Sequence, residues 1–353
     1  MGPWSPALRR RYRIETAFGP ARLGAVLLRP RGWLLAICLG LLVVASGAAA
    51  QAPSESRASC ATTLTEEPIA PIPSPPVADP KKLALGERLF SDPRLSAGGD
   101  LACASCHDIH SNGAGGRKVS ANANAGKGEA RDKPKPRFDT LTVFNAALNF
   151  RLNWEGDIRT FAAQIESALE NPENMRTSVN DVVRKLNADP ETAEQFREAY
   201  GRDPDRDSFL DAMETFEQSL LTPGSRFDRW LGGDMSALSD KERDGYRLFK
   251  SLGCSACHQG VNIGGNLMQR QGIFRQLVPG KPEIVRVPSL RNVATTAPYF
   301  HDGSAPTLAD AIRRMAAAQL DRTVSDQQVD SLVAFLRSLT GTFRGVPVSE
   351  ARQ

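Results

Sequence analysis

Cys103-Ala104-Ser105-Cys106-His107 and Cys254-Ser255-Ala256-Cys257-His258 repeat one pattern, C-x-x-C-H, in a chain of 353 residues. Two thiols three positions apart lie on one turn and reach the two vinyl groups of a haem. The His that follows is then placed to ligate the iron. The same cysteines could form zinc knuckles or disulfides. Zinc leaves the His after each pair unexplained, and zinc pairs normally sit much closer than 148 residues apart. A disulfide uses neither His. The pattern predicts two covalent c-type haems, held by Cys103 and Cys106 with His107, and by Cys254 and Cys257 with His258.

Outward from these motifs the chain repeats itself weakly. Gly86-Glu87-Arg88-Leu89-Phe90 precedes the first Cys pair and Gly245-Tyr246-Arg247-Leu248-Phe249 the second. Two copies of helix, loop and C-x-x-C-H imply two related domains, divided near Gly232-Gly233. Apolar stripes at helical spacing predict helices starting near Lys81, over 158–169 (Phe161, Ile165, Leu169), over 178–186 (Val179, Val182, Leu186) and over 209–221 (Phe209, Met213, Phe216). Ser239 with Glu242, and Ser325 with Gln328, read as capping boxes. Residues 113–136 are Gly-, Asn- and Lys-rich without periodicity and predict a long loop. No run of alternating strands appears. The expected fold is mainly α: two cytochrome c-like haem domains, 81–235 and 236–353, with long ordered loops.

The ends carry other information. The formal charge is +4, yet residues 1–50 hold seven Arg against Glu15 alone, so the remainder carries net −2. The basic character belongs to the leader, and a nucleic-acid partner is not expected. Residues 33–50 are 18 uncharged residues ending Ala48-Ala49-Ala50. Basic flank, apolar centre and small-residue exit predict a signal peptide over 1–50, with a retained anchor as the alternative. Either exports the body, and a periplasmic location suits haem attachment outside the cytoplasm. Residues 51–80, with Pro68, Pro71, Pro73, Pro75, Pro76 and Pro80, predict a solvated linker. Cys38 lies in the leader. Cys60 follows no lipoprotein-like stretch and is expected to be a free or intermolecularly paired thiol.

From Lys81 to Gly341 the sequence resembles the bacterial di-haem cytochrome c peroxidase family, which includes the MauG-type maturation enzymes. The likeness rests on Leu85-Gly86-Glu87-Arg88-Leu89-Phe90 with Asp92-Pro93-Arg94-Leu95-Ser96, Thr142-Val143-Phe144-Asn145, Trp154-Glu155-Gly156, Thr222-Pro223 and Phe227-Asp228. Val287-Pro288-Ser289-Leu290-Arg291-Asn292-Val293 and Ala297-Pro298-Tyr299-Phe300-His301-Asp302-Gly303-Ser304 are the most specific. The resemblance implies a peroxide-facing first haem on His107 and an electron-receiving second haem on His258. It implies Met315, fourteen residues after His301, as the second haem's other ligand; MauG-type enzymes have Tyr there. Thioether ligation raises the potential. Met315 between Ile312 and Leu320 could equally be helical core. The resemblance further places Trp154 between the haems and Gln164 in the distal pocket. It implies a calcium ion held by Asp139 and the carbonyls of Thr296 and Pro298, Asp replacing the usual Asn as a hard oxygen donor.

Two positions depart from the family. Its releasable distal His would fall at Ala123, and the sequence has no His between His110 and His258. The first haem is therefore expected to need no His release. The family's acid–base Glu falls in Asn171-Pro172-Glu173-Asn174-Met175 at Asn174, which cannot exchange a proton. Glu173 is the neighbouring carboxylate. Slow turnover is the expectation. Three functions follow: a periplasmic peroxidase reducing hydrogen peroxide with a small c-type cytochrome or cupredoxin; a MauG-like oxidase modifying a Trp or Tyr of a partner protein; and a non-catalytic di-haem carrier. Oligomeric state is open, with a homodimer among the arrangements allowed.

Overall fold

A computed structural model describes residues 67–115, 138–280 and 282–349. The leader 1–50, Cys38, Cys60, the first part of the Pro-rich stretch, Ala123 and most of the loop 113–136 lie outside the described residues.

The first helix, α1 (Pro80–Phe90), starts where Asp79 accepts from the amides of Lys81 and Lys82 and Pro80 takes the first helical position. It crosses α5 (Arg206–Ser219) at Gly86, where any Cβ would collide with the Ala212 carbonyl. The same crossing recurs between α7 (Asp240–Ser251) and α9 (Asp326–Arg337): a Cβ at Gly245 would collide with the Ser331 carbonyl. The repeated Gly of the G-x-x-L-F stretches is thus a backbone-contact position in both halves. Both expected capping boxes form, at Ser239/Glu242 and Ser325/Gln328.

Between these crossings lie α2 (Phe161–Glu170), α3 (Val179–Asn187), α4 (Pro190–Tyr200), α6 (Arg226–Leu231) and α8 (Leu308–Leu320). Helix α2 starts later than its apolar stripe suggested, because Thr160 caps it and Ile158 instead bridges to Leu152. Helix α5 ends before its stripe does, as Leu220 leaves helical geometry toward Thr222. Among the described residues strand is confined to two hairpins, β1 (Met268–Arg270) with β2 (Ile284–Arg286) and β3 (Thr342–Phe343) with β4 (Val346–Pro347). Among the described residues no helix is long and apolar enough to cross a membrane.

Two apolar cores result. One gathers Leu89, Phe90, Phe144, Phe196, Phe209 and Phe216; the other gathers Phe227, Trp230, Tyr246, Phe249 and Phe335. The change of core falls between Leu220 and Phe227, so α6 packs with the second core although it precedes residue 235. Val348 returns to the first core.

The described part of the Pro-rich stretch corrects the linker expectation. Ile69 and Ile72 are buried, Ile69 within the second core. The Ala70 carbonyl accepts from Arg291 Nη2 at 2.7 Å, and the Pro68 carbonyl from the Gly260 amide at 2.8 Å. Glu67 pairs with Lys250 and accepts from the Tyr246 hydroxyl. Burying each Ile is worth about 1.5–3 kcal/mol, enough to hold an extended strap that a purely polar Pro-rich segment would not form.

Candidate functional site

Each C-x-x-C-H motif opens with one 3-10 turn, Cys103–Ser105 and Cys254–Ala256, that brings the two Cys and the His to one side. The ring of His107 donates from Nδ1 to the Gly113 carbonyl at 3.2 Å, and His258 from Nδ1 to the Ile263 carbonyl at 3.2 Å. A carbonyl can only accept, so each ring keeps its Nε2 lone pair for a metal. Burial lowers both imidazole pKa values, that of His258 to about 4, which keeps the rings neutral as ligands must be. Burial also pushes the Cys103 thiol up to about 12 and the Cys254 thiol to about 11. No disulfide joins either pair.

The repetition extends beyond the motifs. The Leu141 backbone near His107 and the Pro288 backbone near His258 act alike, each partly offsetting the lowering of the imidazole pKa by burial. Thr142 Oγ1 donates to the Asn112 carbonyl at 2.6 Å; Ser289 Oγ donates to the Asn262 carbonyl at 2.8 Å. Asn145 and Asn292 both adopt left-handed backbone, with φ 61° and 59°. Both amides donate to one hydroxyl, Thr222 Oγ1, at 2.8 and 2.9 Å. Thr222 therefore ties the two halves at their equivalent turns.

Beside the second motif lies a mostly apolar cavity of about 250 Å³. Cys254, Cys257, His258 and Met315 all line it, as do Phe249, Leu252, Val285 and Trp154. Met268, another methionine of this half, packs instead against Gly156. Asp139, Thr140, Leu141, Thr142 and Phe144 form part of the cavity wall. Trp154 donates Nε1–H to the Asp139 carbonyl at 2.8 Å, and its ring stands edge-on to His301, centroids 6.3 Å apart. Asp139, Thr296 and Pro298 share this wall.

The residues expected around the first haem lie on α2 and the turn that follows it. Gln164 projects from α2 with its Oε1 buried and without a hydrogen-bond partner among the described residues. In the following turn Asn174 is half-buried, Met175 buried and Glu173 exposed. His110 is exposed, its amide donating to Asp108 Oδ1.

A haem fits the second cavity on its donor set, because two Cys, a His and a thioether all line it. Two buried nitrogens in its lining, Arg286 Nη1 and His301 Nδ1, also await partners. At the first motif the same turn and the same oriented His are present.

The family model described as di-haem cytochrome c peroxidase matches residues 80–236, and a cytochrome c model matches residues 242–340. The cytochrome c551 peroxidase of Nitrosomonas europaea is 35% identical over 300 residues, covering 80% of this chain and 87% of that protein. The chain belongs to the di-haem cytochrome c peroxidase family. Escherichia coli cytochrome c peroxidase Ccp is 36% identical over 295 residues, and the match spans 62% of that protein. Among solved structures, a MauG-like protein associated with microbial copper homeostasis has a TM-score of 0.65 at 24% identity, covering 76% of this chain and 93% of that one; this likeness bears on the fold alone. Membership in the family accounts for haem c and for the mainly helical, two-motif architecture. The bridge at Thr222 and the orphaned nitrogens of Arg286 and His301 were not anticipated. Thr222-Pro223 and Arg291-Asn292 stood out only as family stretches, and no local pattern announced what they touch.

Proposed function

We propose that this protein is a periplasmic peroxidase that reduces hydrogen peroxide to water with electrons from a small c-type cytochrome or cupredoxin. The observation that carries the reading is the convergence of Cys254, Cys257, His258 and Met315 on one cavity, with a second C-x-x-C-H turn and an equally oriented His107 on the same chain. Bound haems supply the redox-active iron at both sites. In this reading 81–235 form the peroxide-facing domain and 236–353 the electron-receiving domain, delivered by a signal peptide over 1–50. A calcium ion held by Asp139, Thr296 and Pro298 stiffens the wall that carries Trp154. A homodimer is compatible with it.

The residues divide the remaining work. Met315 offers a thioether, which favours the reduced state. Trp154 stands between the two haems. Gln164 presents a buried amide oxygen that can orient a peroxide. Each peroxide takes up two electrons and two protons to give two waters, and the inner proton must reach the leaving oxygen. Asn174 cannot carry it, and Glu173 faces solvent. Water is left as the carrier, and turnover is slow.

Asn174 favours one second reading, a MauG-like oxidase acting on a Trp or Tyr of a partner protein. Steady-state assay of the two-haem protein with peroxide and a reduced c-type cytochrome separates the readings. Cytochrome oxidation in step with peroxide loss supports the first. Peroxide loss without cytochrome oxidation, on a pathway that consumes partner side chains, supports the second.

A further inference from the structure

Arg286 ends β2 and is buried, 3% exposed. Its amide donates to the Trp154 carbonyl at 2.8 Å, and its Nε donates to the Asn153 carbonyl at 3.0 Å. These bonds fix the guanidinium on the backbone that presents Trp154. Its Nη1 is buried and has no hydrogen-bond partner among the described residues, yet Arg286 lines the cavity shared by Cys254, Cys257, His258 and Met315. Burial alone pulls its pKa down to about 10, with no described carboxylate to offset it. A desolvated cation in an apolar wall calls for an anion. A haem seated there brings its own carboxylates, and a guanidinium fork suits a carboxylate in geometry and charge.

We propose that Arg286 is the docking residue for a propionate of the haem attached at Cys254 and Cys257, and that its charge raises that haem's reduction potential. The proposal rests on the two-haem reading above. Arg286 is a positioning residue: it ties the haem's carboxylate edge to the turn that carries Trp154. A cation beside the haem disfavours the more positive ferric state, so removing it lowers the potential.

The test is a spectroelectrochemical titration of both haems in wild type, Arg286→Gln and Arg286→Lys, each first shown to retain two covalent haems after denaturation. Arg286→Gln is expected to lower the midpoint of the second haem and leave the first unchanged. Arg286→Lys keeps the charge but loses the fork. It is expected to shift the propionate bending band in the resonance Raman spectrum of the second haem, with a smaller fall in potential. An unchanged second midpoint in Arg286→Gln overturns the proposal. Should that variant yield no holoprotein, an unshifted propionate band in Arg286→Lys overturns it. Wild-type protein with a single covalent haem would remove the reading beneath; two haems with an Arg286-independent potential would remove this assignment alone.

Discussion

The indole N–H of Trp154 donates to the carbonyl of Asp139 at 2.8 Å, so a ring that lines the second cavity is tied to the residue offered as a calcium ligand. The Asp139 amide donates in turn to the His301 carbonyl at 2.7 Å. Asp139 supplies the one side-chain oxygen of the proposed set, beside the carbonyls of Thr296 and Pro298. Asp139→Ala is expected to weaken calcium binding by about 10-fold or more. Calorimetry on chelator-treated holoprotein checks this, and an unchanged affinity would place the ion elsewhere.

The hydroxyl of Thr222 accepts from two buried amides, Asn145 and Asn292. Thr222→Val keeps the shape and leaves both donors without an acceptor, at a cost of about 1–3 kcal/mol for each group. Thr222→Ser is expected to stay near wild type. Urea unfolding of the holoprotein measures both, and equal midpoints for the two variants would contradict the bridge.

Met315 shares the second cavity with His258, whereas Met268 packs on Gly156. Met315→His is expected to lower the second haem's potential, because an imidazole stabilises the ferric state relative to a thioether. Met268→Leu is expected to leave it unchanged. The reverse result in a redox titration would move the ligand to Met268.

In the turn after α2, proposed to face the first haem, the half-buried residue is Asn174 and the exposed one Glu173. Positioned acid–base groups contribute about 10²–10⁴-fold. Asn174→Glu is therefore expected to raise peroxide turnover by about 10²-fold, and Glu173→Gln to leave it nearly unchanged. A collapse of the rate in Glu173→Gln would mean that this turn refolds to bring Glu173 inward.

What the sequence disclosed follows from how local each signal is. Cys103 to His107 and Cys254 to His258 are legible because covalent attachment fixes their spacing. Helices α1, α5, α7 and α9 are legible because their buried faces repeat at helical period, and Ser239 and Ser325 mark two starts. Helix α6 was missed, because six residues are too few for periodicity to register. Its choice of the second core is a tertiary fact. Ile69 and Ile72 sit among prolines, and only partners far along the chain, Asp228, Gly260 and Arg291, reveal that this backbone is held. The correspondence of Asn145 with Asn292 is one of backbone turns, invisible to hydrophobic patterning. Arg286 was passed over because its significance lies in a partner that no other described residue supplies.

The central claim is that two haems on one chain deliver both electrons of one peroxide. The direct test is a single turnover: fully reduced holoprotein, mixed with one equivalent of hydrogen peroxide, followed optically at both haems. The account predicts that the ferrous bands of both haems are lost together, with two electrons removed per peroxide and no prior activation step. Loss of one haem's band alone, or ferrous bands that persist in the presence of peroxide, would contradict it.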